Sequence, residues 1–577
     1  MKMKNILLLT LILVISGRLF VSYPLNENLL EGTDFTAHVP KILYLEKYYN
    51  SYGMWDPYWY GGYPIFKYYS PLSYYTAAFF TLFVDELISY KIIMDVFFLL
   101  APVSFFILIN DFKFNIKQKV FGTLSFSFFI TNIYYFWNNA FPTVVNLVFC
   151  ILTWISLKRY VENKNMKNLL FSSMFIFFSL MTHQLTAILN IIVLLSWILL
   201  RYRKIPMSPL IYGTSLSSFW LIPFLIDFRK PLFSTSHIFS FSQGIVHHIG
   251  LIGLLSFSIV FIVFTVISLW KDIGRDFFIA MLIIIFIVFF STHYRAMAIL
   301  PIPFGLFAGK IYKKGVVSYM VILVVILEMI FFYAYHPLSF NGHRPWETPE
   351  ANNRVIYLPT SHSFCERLLC NKNLYSVYLP LKHDEETING WFQESQRIGK
   401  LKYTKDVYLK MISNPFNYTQ GEYSSLLNEG FVNSVIVSKF YPKYIGYFFA
   451  DNHFKKINET RHFVVFALDP PSSYIEINEK PVNYTIKRKF NEINIKTICS
   501  NGTLKIKESY DKDWKLFIND KKIPIDVDKY GFIETKINEN GICDISLKFQ
   551  INYTFIPLSI LTLALLILYA LRNKVIL

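Results

Sequence analysis

Charge is scarce in this sequence. Asp, Glu, Lys and Arg make up 16% of the 577 residues, against 54% hydrophobic residues. A soluble protein of this length shows more charge than that, so a freely soluble globular chain is excluded. Cysteine is rarer still, at five residues, which excludes a disulfide-dense scaffold. No Walker A loop, zinc-protease helix or nucleophile elbow occurs, so ATP-driven and hydrolytic chemistry have no support. No internal repeat is evident either.

The chain is rich in apolar runs instead. "FFLLAPVSFFILI", "FFIAMLIIIFIVFF" and "VVSYMVILVVILEMIFFY" are long enough, or nearly so, to cross a bilayer as helices. The opening "MKMKNILLLTLILVISGRLF" has the basic start and apolar core of a secretory signal. No small-x-small cleavage site follows, so it reads as an uncleaved first helix. Further spans are expected near 92–110, 120–137, 141–157, 168–182, 185–200, 209–226, 249–270, 276–291, 296–311, 315–335 and 553–571, about twelve in all. With the N-terminus inside, the inner loops collect Lys113, Lys117, Lys119, Lys158, Arg159, Lys164, Lys167, Arg201, Arg203, Lys204, Lys271, Arg275, Lys310, Lys313, Lys314, Arg572 and Lys574, while the short outer loops are nearly bare apart from Arg229, Lys230 and Arg295. This is the positive-inside pattern. The net charge of +17 is therefore largely topological and gives no argument for a nucleic-acid partner.

The same alternation puts two segments outside: a first loop, 23–91, and a long polar region, 338–552. The expected organisation is an all-α membrane bundle over 1–337, an exported α/β region over 338–470, a β-sandwich-like module over 471–552 and a last helix over 553–577. The module is inferred from short alternating runs such as "INIKTI", "TLKIKESY" and "DISLKFQ". Both termini are then cytoplasmic in a multi-pass protein of the cell membrane. Every N-x-[ST] sequon lies in the outer polar region, at Asn417, Asn458, Asn483, Asn501 and Asn552. Four cysteines lie there too: Cys365, Cys370, Cys499 and Cys543. Bridges of 365 with 370 and 499 with 543 are the simplest pairing, and connectivity stays open. Cys150 reads as a small apolar residue within a span.

The chemistry-bearing residues gather on the outer side. In "EGTDFTAHVPKIL", Thr33 is an N-cap candidate, Asp34 falls in the first turn and His38 shares its face. Pro40 is expected to kink or cut that helix. The bland reading is a capping acid paired with a histidine. The loop that follows, "YGMWDPYWYGGYPIFKYYSPLSYY", packs Trp55, Trp59, Tyr63 and further tyrosines around Gly61, Gly62, Pro64 and Pro71. Interfacial belts are usually scattered over helix ends, whereas this is one loop with turn chemistry that would fix the rings. Flat aromatic faces suit sugar C–H faces or an isoprenoid chain. His183, His293 and Arg295 fall in outer turns, and Arg295 breaks the charge rule, as a phosphate-binding residue would.

The run "TDFTAHVPKILYLEKYYNSYGMWDPYWYGGYPIFKYYSPLSYY" resembles the head of a prokaryotic family of polytopic membrane proteins known by a 6-pyruvoyl-tetrahydropterin-synthase-related domain. The shared pattern is an Asp, a His four later, then Trp-x-Pro-x-x-x-Gly-Gly-x-Pro. Its organisation is similar to that of GT-C glycosyltransferases. The resemblance implies a sugar donor on a polyprenyl phosphate, a glycan or protein acceptor and transfer on the extracytoplasmic side. By that analogy Asp34 is the base or a ligand of a divalent cation (Mg or Mn), with His38 as its partner. Trp55, Trp59 and Tyr63 line the substrate site, and Arg295, with His183 or His293, holds the donor phosphate. A pterin synthase needs three zinc-binding histidines in a soluble barrel, and no such spacing is present. The alternatives are a transporter or flippase of lipid-linked glycans, which the intramembrane Glu328 and the proline-broken "WLIPFLID" would suit, and a non-catalytic cell-surface assembly protein.

Overall fold

The computed structural model describes residues 35–48, 55–59, 61–67, 69–127, 139–227, 301–311, 354–358, 386–388, 414–439, 441–489, 491–550 and 555–572, with a few single positions besides. In chain order the helices are α1 (Phe35–Lys47), α2 (Leu72–Phe80), α3 (Glu86–Asn110), α4 (Ile116–Ser127), α5 (Phe141–Asn163), α6 (Met166–Thr182), α7 (Gln184–Tyr202), α8 (Met207–Leu216), α9 (Ser218–Asp227), α10 (Pro301–Ile311), α11 (Gln420–Glu429), α12 (Pro442–Phe449) and α13 (Ile556–Arg572). Two compact units form. The first comprises 1–35, 69–342 and 554–577, and the second comprises 36–68 and 343–553. Half of the first loop thus belongs to the second unit.

Apolar helices dominate the first unit. Among the described residues, α3 and α5 are long and apolar enough to cross a membrane, and a third span results if α8 and α9, bent by 81°, count as one. The expected spans at 249–270, 276–291 and 315–335, with Glu328, lie outside the described residues. Phe105 stacks on Phe126 at 4.2 Å, and Trp154 meets Trp197 at 5.5 Å in the shared core. Small residues let α4 and α10 approach: a Cβ on Gly122 would fall 2.6 Å from the Gly305 carbonyl. Pro40 does not cut α1, which runs unbroken from Phe35 to Lys47. It lies inside the helix past the first turn, so its missing N–H removes one i→i−4 bond without ending the helix.

Strands dominate the second unit. The alternating runs form β7 (Ile475–Ile477), β8 (Lys480–Pro481), β9 (Tyr484–Lys489), β10 (Glu492–Cys499), β11 (Gly502–Ser509), β12 (Trp514–Ile518), β13 (Lys521–Ile523), β14 (Asp526–Val527), β15 (Phe532–Ile537) and β16 (Gly541–Phe549). They make two five-stranded antiparallel sheets, ordered β13-β12-β16-β10-β9 and β14-β15-β11-β7-β8. A disulfide joins Cys499 on β10 to Cys543 on β16. Before them, β3 (Arg354–Leu358), β4 (Val432–Ser438), β5 (Phe454–Glu459) and β6 (Phe463–Leu468) form a mixed sheet ordered β3-β4-β6-β5 that packs against α11 and α12. A capping box, with Thr419 and Glu422 bonding reciprocally, starts α11. In the first loop, β1 (Trp55–Asp56) pairs with β2 (Tyr63–Pro64) as a short hairpin.

Candidate functional site

Helix α1 carries Lys41, Tyr44 and Lys47, and Tyr48 directly after it continues the stripe at helical spacing. Tyr44 donates to the Trp55 carbonyl at 3.0 Å, and the Tyr48 and Tyr58 hydroxyls meet at 3.0 Å. The Lys47 ammonium lies 5.3 Å from the Tyr58 ring centre. The stripe therefore grips the "WDPY" turn. Within that turn Asp56 is fully buried: Oδ1 accepts the Tyr58 N–H at 2.8 Å, while Oδ2 has no hydrogen-bond partner among the described residues. Burial pushes its pKa up to about 7, against the opposing pull of the Tyr58 N–H and the charges of Lys41 and Lys47. Asp56 is a first-loop acid that its spacing in the sequence does not single out, unlike Asp34.

Glycine is required in the next turn. Gly61 and Gly62 adopt φ of +64° and +106°. A Cβ on Gly62 would fall 2.3 Å from Glu508 Oε1 and 2.5 Å from the Trp55 ring. The Gly61 N–H donates to the Thr387 carbonyl at 2.8 Å, and its own carbonyl accepts the Ser509 N–H at 2.9 Å. The glycine pair is what lets this loop lie flat against the β-rich domain.

Beneath the loop lies a charge cluster in which Arg354 and Glu508 are buried and Glu386 and Arg488 half-buried. Arg354 donates to Glu386 at 2.9 Å and to the carbonyls of Lys507 at 2.6 Å and Gly430 at 3.1 Å. Arg488 bridges Glu386 at 2.7 Å and Glu508 at 3.2 Å. Glu508 also accepts the Trp55 indole N–H at 2.8 Å and the Tyr474 hydroxyl at 2.6 Å. Burial alone would raise the pKa of Glu386, yet Arg488 and Arg354 hold it below the usual carboxylate range. Two guanidinium groups and two carboxylates balance, so every charge has an opposite within reach. Farther along the loop, the Lys67 ammonium is held by Asp511 at 2.8 Å and Asp513 at 2.6 Å.

Trp55, Trp59 and Tyr63 are core residues, at 5%, 0% and 3% exposure, where open ring faces were expected. Trp55 packs edge-on to Trp514 at 4.8 Å and against Phe549 at 5.0 Å, Trp59 stacks on Tyr63, and the Tyr63 hydroxyl donates to the Ile65 carbonyl. His38 is buried on α1. His183 is also buried, as the N-cap of α7: Nδ1 accepts the Thr186 N–H at 3.3 Å. Asn146 donates to the His183 carbonyl at 3.2 Å and to the Thr186 hydroxyl at 2.6 Å, and Ser179 donates to Asn146 at 2.8 Å. The Tyr69 ring meets the imidazole at 6.2 Å. Asp34, His293, Arg295, Cys365, Cys370 and Asn552 lie outside the described residues. Asn417, Asn483 and Asn501 are exposed and Asn458 is half-buried. Among the described residues, no group of three or more His, Cys, Asp and Glu could hold a metal ion.

A family model described as a 6-pyruvoyl-tetrahydropterin synthase related domain, membrane protein, matches residues 66–302. The matched family is the one that the first-loop motif resembles. The match begins at residue 66, so it takes in only the end of that motif. No curated protein matches the chain. Among solved structures it is similar to the arabinofuranosyltransferase AftD from Mycobacteria, with 10% identity, 95% of this chain and 60% of that chain covered, and a TM-score of 0.49. It is similar to ArnT from Cupriavidus metallidurans bound to undecaprenyl phosphate, with 12% identity, coverage of 79% and 97%, and a TM-score of 0.48. The oligosaccharyltransferase of Archaeoglobus fulgidus tethered with an acceptor peptide follows, with 12% identity, coverage of 75% and 69%, and a TM-score of 0.43. The chain spans 60% of the length of AftD. At these scores the likeness carries no argument of its own.

Proposed function

We propose that the protein is a membrane glycosyltransferase that moves a sugar from a polyprenyl-phosphate-type lipid donor to an acceptor on the extracytoplasmic side. The observation that carries the reading is the anchoring, at its far end, of the helix that follows Asp34. Helix α1 begins at the next residue and is pinned at its far end by Tyr44 and Tyr48 to a loop that is itself locked onto buried charge. A catalytic acid needs a rigid mount of this kind, because misplacement by an ångström costs rate steeply. In this reading Asp34 takes a proton from the acceptor hydroxyl or ligates a divalent cation. His38 tunes Asp34, and Arg295 with His183 or His293 balances the charge that grows on the departing phosphate. The class comes from the motif's resemblance, and the names of the similar structures agree with it without adding weight.

The test is transfer of a radiolabelled sugar from a synthetic polyprenyl-phosphate donor by the purified protein. Asp34→Asn is expected to lower the rate about 100-fold or more. Undiminished transfer by that variant removes the mechanism. A second reading, a transporter of lipid-linked glycans, draws on the 81° break between α8 and α9, because broken helices often frame transport sites. It predicts donor movement across vesicles without sugar transfer.

A further inference from the structure

The outward face of the sheet β13-β12-β16-β10-β9 is arranged in ladder rows. Phe517 pairs with Lys522 and with Ser546, Ser546 with Asn494, and Asn494 with Lys487. One row thus crosses all five strands with a lysine at either end and an aromatic, a hydroxyl and an amide between. At roughly 4.8 Å per strand, the row is about 19 Å long. The next row runs Lys515, Lys548, Glu492 and Lys489, and a third runs Asp544, Lys496 and Thr485. Side chains on the opposite face, such as Ile493, Ile495, Ile545, Leu547 and Leu516, are buried.

Six lysines therefore share this face with two acids. Lys496 pairs with Asp544 at 3.0 Å, and Lys548 lies 3.7 Å from Glu492. Four lysines exceed what the acids balance. Lys515 stands directly opposite Lys548, a pairing that costs stability unless a counter-charge lies over it. Lys548 also lies over the Phe517 ring at 5.7 Å. At the centre of the longest row the Ser546 hydroxyl, shielded from solvent, has no hydrogen-bond partner among the described residues.

We infer that this face binds an acidic polysaccharide, whose carboxylates or phosphates pair with the lysines while Asn494, Ser546 and Phe517 meet a sugar unit lying along the row. The rows supply repeated charge at strand spacing, which fits a polymer better than a single small anion. Charged contacts at an open surface make such binding steeply salt-dependent. The inference goes beyond sugar transfer and is measured without any donor, so either can fail while the other stands.

The experiment uses the full chain in detergent, immobilised, with alginate as the acidic polymer, dextran as a neutral one and anionic phospholipid vesicles as a third arm. Alginate is expected to bind, with affinity falling at least tenfold between 50 and 500 mM salt, and dextran is not. The triple variant Lys487→Glu, Lys522→Glu, Lys548→Glu is expected to lose at least tenfold in affinity, and the corresponding three Lys→Arg changes to keep it. If the charge reversal unfolds the sheet, Lys487→Gln with Lys522→Gln, at the two edge strands, should still weaken binding severalfold. Equal binding of dextran, unchanged affinity in the folded glutamine variant, or binding of vesicles in place of alginate would each overturn the proposal.

Discussion

Two polar networks, one in each unit, are built in opposite ways. In the helical unit one buried network is built from neutral groups that bond across helices: Asn146 with Ser179, Thr186 and the His183 carbonyl, and Trp154 with Asn190. In the β-rich unit the corresponding network is charged, with the buried Arg354 and Glu508 and the half-buried Arg488 and Glu386 locked together beneath the first loop. The first arrangement suits an apolar solvent, where isolated charge is costly and modest hydrogen bonds suffice. The second fixes one geometry and tolerates no missing member. The lesson is that this protein invests its rigidity where the motif is held.

Arg354→Met tests that contrast most severely. It leaves Glu386 and Glu508 facing one remaining guanidinium and should destabilise the β-rich unit by about 3–5 kcal/mol, seen as early protease cleavage or a lowered melting temperature. A variant that melts with the wild type would mean the cluster is slack. Gly62→Ala comes next. The strained φ and the clash with Glu508 and Trp55 should cost about 1–3 kcal/mol in the same assay.

Asp56 sharpens the comparison through pH. Its folded pKa of about 7 lies above the ordinary 3.8, so the folded state holds this proton more tightly than the unfolded chain. That contribution to stability is complete below pH 4 and is lost as pH rises to 7 and beyond. Asp56→Asn should flatten this part of the profile, and a pH scan of unfolding that keeps its slope would refute the assignment. The smallest effect is expected in the helical unit: Asn146→Ala should cost about 0.6 kcal/mol, with an upper bound near 1.7. A loss as large as that of Arg354→Met would erase the distinction between the units.

Much of the architecture is legible in the sequence because it is local. Period-2 runs such as "INIKTI" and "DISLKFQ" become β10 and β16, and the apolar runs at 92–110 and 141–157 fall within α3 and α5. The site is less legible. "GG" reads as a turn, but nothing near it announces that Trp55 will donate to Glu508 or that Lys67 will meet Asp511, contacts separated by 453 and 444 residues. Tryptophan and tyrosine in a membrane-proximal loop read equally well as belt, platform or core, and only the partners decide. Asp56 was hidden for the same reason, since burial, not spacing, makes it unusual.

The β-rich unit draws on residues 36–68 as well as 343–553. The ribosome therefore delivers its first piece long before the rest, and the intervening helices must insert while that piece still lacks its docking surface. Trp55, Trp59 and their neighbours are apolar enough to be a hazard during the wait. A nascent chain stalled before residue 343 should expose them to chaperones or proteases, and biogenesis would then be slowest at closure of this long-range joint.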